Sequence, residues 1–302
     1  MAGEAVKSVR RLPKDEPGIV DARWLPDDEF KNSWGSIFLP NDEKERLARS
    51  AASGIVLRAQ IDFEKLPLHG IVLLLGDPGV GKTTLARGLA DRLARILKSL
   101  GGFAYVEISS HGLTSAFLGR TQRAVETLFS QTIDELAETG PLVLLVDEIE
   151  TLATDRSRMS FETNPADVHR AVDAALVGLD RLARRHRDVV IIATSNFPDA
   201  IDSALRSRAD FVYTLPRPGA VARRAILSDT IAALAAKFPK VAGLDRPATL
   251  KNAVAASAGM DGRQLRKAVA AACAMRDETA TDPNLLTESD LIQAIKLLNT
   301  SS

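Results

Sequence analysis

Five consecutive apolar residues, Ile71 to Leu75, run without a break into Gly76-Asp77-Pro78-Gly79-Val80-Gly81-Lys82-Thr83, and Thr84 opens a leucine-patterned stretch behind them. The order is strand, glycine-rich loop, helix, and it matches the phosphate-cradling pattern G-x-x-x-x-G-K-[ST] in full. A buried strand that turns this sharply into a helix aims the first helical amides, and the positive end of the helix dipole, at one point. Gly76, Gly79 and Gly81 let the backbone wrap a polyphosphate without Cβ clashes. Lys82 supplies a point charge for the outer phosphates, and Thr83 a hydroxyl for Mg²⁺. ATP and Mg²⁺ are therefore the expected ligands, with residues 76–84 as the binding loop.

Four further runs resemble Ile71–Leu75: Phe103–Ile108, Leu142–Val146, Val189–Ala193 and Phe211–Leu215. Three of the five are apolar at every position, which indicates strands covered on both faces, as in a parallel sheet. Glu107 and Thr214 interrupt the other two and place them nearer an edge. Helix-period leucines fill the gaps: Leu85, Leu89, Leu93, Leu97 and Leu100, then Val168, Val172, Leu176, Leu179 and Leu182. This alternation predicts a doubly wound α/β domain with a five-stranded parallel sheet. Beyond Pro216-Arg217-Pro218-Gly219 only helical patterns remain, the last opened by Thr287 as an N-cap. The expected organisation is a flexible arm over 1–21, a large α/β domain over 22–216, and a small all-helical lid over 217–302. Within the large domain, Asp21 to about Pro40, with Trp24 and Trp34, reads as an aromatic-anchored linker, and a helix is expected over about 41–59.

Lys plus Arg number 39 and Asp plus Glu 39, so no global field draws the chain to nucleic acid. The one cysteine, Cys273, cannot form an internal disulfide. No stretch approaches 18 apolar residues, and the first 20 residues lack a signal peptide's apolar core. The expectation is a cytoplasmic protein with neither a nucleic-acid nor a membrane partner.

The run Leu142–Val146 leads into Asp147-Glu148. Ligands of parallel sheets bind beyond the carboxyl ends of the strands, so this acid pair is placed for chemistry. Asp147 can hold Mg²⁺, and Glu148, pointing elsewhere, can polarise a water. The next run ends in Ala193-Thr194-Ser195-Asn196. Asn196 either bridges the attacking water and the γ-phosphate or merely forms the turn before Pro198. Arg206 and Arg208 precede the last strand; one of them, Arg208 preferred, is a candidate arginine finger serving a neighbouring subunit. Arg263, at a helix start within Gly259-Met-Asp-Gly-Arg, can report γ-phosphate to the lid.

GDPGVGKT, LLVDE, ATSN, the arginine of SRAD and that of GMDGR follow the order of an AAA+ ATPase. WLPDDEFKNSWGSIFLP, EISSHGLTSAFLG, DEIETLATDR and IDSALRSRADFVYTLPRP resemble the pachytene-checkpoint branch, whose members remodel HORMA-domain proteins. The resemblance spans about residues 22–275. It implies a homohexameric ring with sites completed in trans, a HORMA-domain substrate, and a pore loop on Phe117-Leu118-Gly119, with a second over about 154–164. An aromatic beside an aliphatic and a glycine grips an extended chain by contact area; the other reading of Phe117 is a core residue before a helix. Eukaryotic relatives carry a globular N-terminal domain; only about 21 residues precede the shared region here, which favours direct capture of a substrate tail over adaptor-dependent recruitment. Compact versions resemble the ATPases of bacterial anti-phage operons, which implies control of a cyclic-oligonucleotide synthase. Two other readings stand beside this one: a nucleic-acid-associated loader or initiator, and an ATP-controlled scaffold.

Overall fold

The structure is a computed structural model, and it describes residues 11–39, 42–109, 125–151, 174, 177–201 and 203–300. Phe117, Leu118, Gly119 and the second loop expected over 154–164 lie outside the described residues.

The described chain divides into two compact units. The first holds one six-stranded sheet in the order β1-β3-β4-β5-β2-β6. Its strands are β1 (Ile19–Leu25), β2 (Ile71–Leu75), β3 (Phe103–Ser109), β4 (Leu142–Asp147), β5 (Val189–Ser195) and β6 (Phe211–Thr214). Neighbours from β3 to β6 pair in parallel. Every residue of β2 and β5 is buried: β2 is wholly apolar, and β5 is apolar up to Ala193 and ends in buried Thr194 and Ser195.

The sixth strand is the departure from expectation. β1 pairs antiparallel with β3, from Ile19↔Ile108 to Leu25↔Phe103, where a linker was expected. Its sequence, IVDARWL, buries only Ala22 and Leu25 and exposes Val20 and Trp24, so it carries no apolar run to announce it. Two helices follow, α1 (Asp28–Gly35), rooted by buried Phe30, and α2 (Glu43–Gln60), where a helix was expected over about 41–59. The ring of Phe30 meets that of Tyr105 edge-on at 4.8 Å.

β1 also explains Glu107. Flanked by β1 and β4, β3 is no edge, and the Glu107 side chain is 4% exposed. Arg87, on α3 (Lys82–Ile96), forks onto it at 2.8 and 2.9 Å, and the Tyr105 hydroxyl donates to it at 2.6 Å. A buried carboxylate needs such partners. Burial, then the Glu107 charge, pushes the Tyr105 phenol well above its ordinary range. Thr214 does lie at an edge, on β6.

Between β3 and β4 a π-helical segment, Leu128–Ile133, continues into α4 (Asp134–Glu138). A helix described over 177–185, α5, packs Gly178 on Phe129 so closely that a Cβ would sit 2.7 Å from the Phe129 side chain. The short α6 (Ser203–Arg208) precedes β6.

The second unit comprises residues 35–45, 76–85 and the chain from Leu215 onward. Beyond Thr214 no strand occurs among the described residues. Four longer helices, Ala220–Ala235, Pro247–Ala256, Gly262–Ala272 and Glu288–Thr300, enclose a core around Leu227, Ile231, Leu265, Leu291 and Ile295, with Phe38 packed against it. Thr287 caps the last helix: its hydroxyl accepts the Asp290 amide at 3.3 Å, while the Asp290 carboxylate accepts the Thr287 amide at 2.9 Å.

Candidate functional site

In the second unit the phosphate loop, residues 76–81, leaves β2 and enters the first turn of α3, which begins at Lys82, Thr83 and Thr84. Gly79 (φ 82°) and Gly81 (φ 102°) adopt left-handed conformations. A Cβ on Gly79 would lie 2.5 Å from the Asp261 carboxyl carbon, and one on Gly81 would lie 2.6 Å from Ile37 Cδ1. Backbone geometry and close approach thus both demand glycine. The Lys82 ammonium is folded onto the loop, donating to Gly76 O at 2.8 Å and Asp77 O at 2.9 Å. It is 6% exposed. Loop carbonyls stand here where phosphate oxygens would be better partners for a buried cation.

Arg263 is the second residue of its helix, and its amide donates to Gly79 O at 3.3 Å. The preceding Asp261 is a capping box, its side chain accepting Gln264 N at 2.8 Å while Gln264 Oε1 accepts Asp261 N at 2.8 Å. The start of the arginine-bearing helix is therefore fixed and lies against the phosphate loop. Ile37 lies against Gly81 of the phosphate loop. Lys44 donates to Ile37 O at 2.8 Å, and burial lowers its pKa.

In the first unit the acid pair sits where β4 ends. Asp147 closes the strand and Glu148 follows at φ 56°, the sole positive φ on a non-glycine residue among those described. A glutamate in the left-handed region is strained by about 1–2 kcal/mol. Thr194 on β5 holds it there: its Oγ1 accepts the Glu148 amide at 3.0 Å and donates to Asp147 Oδ1 at 2.5 Å. Asn196 Nδ2 donates to Glu148 Oε1 at 3.2 Å, and the Asn196 amide donates to Glu150 Oε1 at 3.1 Å. The expected trio of Asp147, Glu148 and Asn196 is thereby brought together. The two carboxylates have different partners, Asp147 the Thr194 hydroxyl and Glu148 the Asn196 amide group.

Sequence reasoning missed Thr194, the hydroxyl that links both acids. It follows the apolar run Val189–Ala193 directly, and only the pairing of β5 with β4 shows it buried, 1% exposed, beside both acids. Reasoning also missed Asp180 on α5. Arg208 Nε reaches both Asp180 carboxylate oxygens, at 2.7 and 2.8 Å, and Nη1 donates to Ala204 O at 2.8 Å. Arg206 instead donates to Pro198 O at 2.6 Å. The two finger candidates thus differ: Arg208 is braced by a carboxylate and Arg206 lies on the surface.

Thr83 in the second unit and Asp147 in the first each carry one hard oxygen of the kind Mg²⁺ takes, and no group of three or more His, Cys, Asp or Glu that could hold a metal occurs among the described residues. Mg²⁺ characteristically takes one or two protein oxygens and completes its shell with phosphates and water. No helix among the described residues is long and apolar enough to cross a membrane.

Residues 72–217 match the family described as ATPase family associated with various cellular activities (AAA). CD-NTase-associated protein 6 of Pseudomonas aeruginosa is 45% identical over 94% of this chain and 92% of that protein. Pachytene checkpoint protein 2 homolog of Danio rerio is 31% identical over 91% of this chain and 70% of its own length. The fold is shared with a chain of the solved E. coli MS115-1 HORMA:CdnC:Trip13 complex, at a TM-score of 0.73 and 20% identity over 94% of this chain and 95% of that one. The chain belongs to the AAA ATPase family, in its pachytene-checkpoint branch.

Proposed function

We propose that this protein hydrolyses Mg-ATP and uses the cycle to disassemble or convert HORMA-domain complexes, regulating a bacterial anti-phage cyclic-oligonucleotide synthase. The observation that carries the catalytic half is Glu148, held in a strained backbone by Thr194 with its carboxylate bonded to Asn196. Strain of this kind persists where function demands a particular direction.

In this reading, residues Gly76 to Thr84 hold the triphosphate and Lys82 leaves its loop carbonyls for the outer phosphates. Thr83 and Asp147 would hold Mg²⁺, which screens the phosphate charge. Glu148 accepts a proton from water as the water oxygen attacks the γ-phosphorus. The bond to the bridging oxygen breaks, and ADP and phosphate result. Asn196 orients Glu148 and the water, and Arg208 stabilises the γ-phosphate of a neighbouring subunit in a homohexamer. Arg263 reports that phosphate to the helical lid. Phe117, Leu118 and Gly119 grip the substrate chain.

The HORMA half rests on the near-full-length likeness to CD-NTase-associated protein 6 and on a shared fold with the chain solved beside HORMA and CdnC. Steady-state phosphate release tests the catalytic half. Glu148→Gln is expected to bind ATP within about threefold of wild type while turnover falls by about 10²–10⁴. Arg208→Ala is expected to lose about 10³-fold or more in turnover and keep nucleotide. Near-wild-type turnover in Glu148→Gln removes the base assignment.

A further inference from the structure

Two carboxylates flank the phosphate loop within the second unit. Asp77 is the loop's second residue, and the Asp261 carboxylate lies against Gly79. Both repel a polyphosphate entering the loop. A guanidinium answers them. Arg217 donates through Nε to Asp77 Oδ2 at 2.7 Å and through Nη1 to Gly259 O at 2.9 Å. The hydrogen bond and charge of Asp77, and then the charge of Asp261, raise the guanidinium's pKa further.

Three features separate this bridge from an ordinary surface pair. Arg217 stands between Pro216 and Pro218, which restrict the backbone on either side of it. Asp77 is gripped twice, its carbonyl by Lys82 and its carboxylate by Arg217. The second arm of Arg217 ends on Gly259, two residues before the cap of the helix that carries Arg263. The Arg217 and Asp77 side chains are 55% and 53% exposed, so the pair contributes little to folding.

We infer that Arg217 is a positioning residue for nucleotide binding: it neutralises Asp77 beside the incoming phosphates and ties the loop to the turn that launches Arg263. The inference rests on the ATP reading of the same loop. A carboxylate left uncompensated beside a polyphosphate repels it, and at solvent-exposed separations of a few ångströms this amounts to a three- to tenfold loss of affinity, to order of magnitude (about 3–10×).

The test is a titration with fluorescent mant-ATP in the Glu148→Gln background, where turnover does not interfere, with circular dichroism confirming the fold of each variant. Arg217→Gln is expected to bind about three- to tenfold more weakly than its parent. Adding Asp77→Asn is expected to restore affinity to within about twofold, because the repelling charge leaves with its partner. A merely structural Arg217 gives no such rescue. Arg217→Lys keeps the charge and is expected to lie within about threefold of the parent, which secures the test should Arg217→Gln not fold. Parent-like binding by folded Arg217→Gln overturns the inference, as does a loss that Asp77→Asn leaves unchanged. If Arg217→Gln does not fold, an Arg217→Lys loss well beyond threefold overturns it. A folded parent that binds no mant-ATP overturns the nucleotide reading itself, and the inference with it.

Discussion

The chemistry at the end of β4 depends on one hydroxyl. Thr194 Oγ1 accepts the Glu148 amide and donates to Asp147 Oδ1, so a single side chain sets the directions of both acids. Thr194→Val keeps the shape and removes the hydroxyl. It leaves a part-buried amide without its acceptor, costing about 1–3 kcal/mol. We expect kcat to fall about tenfold or more while the ATP dissociation constant stays within about threefold, since binding is assigned to the loop and misdirection to Glu148. Thr194→Ser should restore most of the rate. A Thr194→Val variant with wild-type kcat contradicts the role of the hydroxyl. Loop, acid pair and Asn196 were legible in the sequence because each is polar at the end of an apolar run. Thr194 and Asp180 were not, because their roles come from pairing across the fold: Thr194 with the end of β4, Asp180 on α5 with Arg208 at the end of α6.

Among elements, apolar runs located the buried strands β2 to β5 to within two residues, since strands covered on both faces are apolar at most positions, with polar exceptions such as Glu107 and Thr194 satisfied by hydrogen bonds. β1 escaped for the converse reason. As an edge strand it buries only Ala22 and Leu25, one on each face, and Asp21 and Arg23 pair with each other, so neither an apolar run nor a period-2 alternation marks it. The last helix offers an element-scale prediction. Arg276 and Thr287 hold the Asp290 carboxyl well below the usual carboxylate range, with Arg276 the larger influence. Because the folded value is depressed, the stabilisation is present above the unfolded carboxylate pKa of about 3.9 and is lost as pH falls towards the folded value. Asp290→Asn should therefore lower Tm by about 2–6 °C at pH 7. The difference from wild type should narrow steadily below pH 4, to order of magnitude (about 4). A difference that is constant with pH in thermal melts contradicts the ionic origin.

At the scale of the whole molecule, the proposed cycle requires that sites be completed between protomers. Arg208, braced by Asp180 at the end of α6, is the residue assigned to that task. Rings doped with Arg208→Ala should turn over below the rate-weighted average of their subunits, and strictly additive rates contradict a finger acting in trans. Membership of the pachytene-checkpoint branch turns the fold into a question about work on another protein. Release of a bound peptide from a purified HORMA-domain protein, timed alongside phosphate release, puts that question directly. We predict that wild type with Mg-ATP drives peptide release in step with hydrolysis, and that Glu148→Gln engages the HORMA protein yet releases nothing. Peptide release at the wild-type rate by Glu148→Gln, or hydrolysis by wild type with no release at all, contradicts the account.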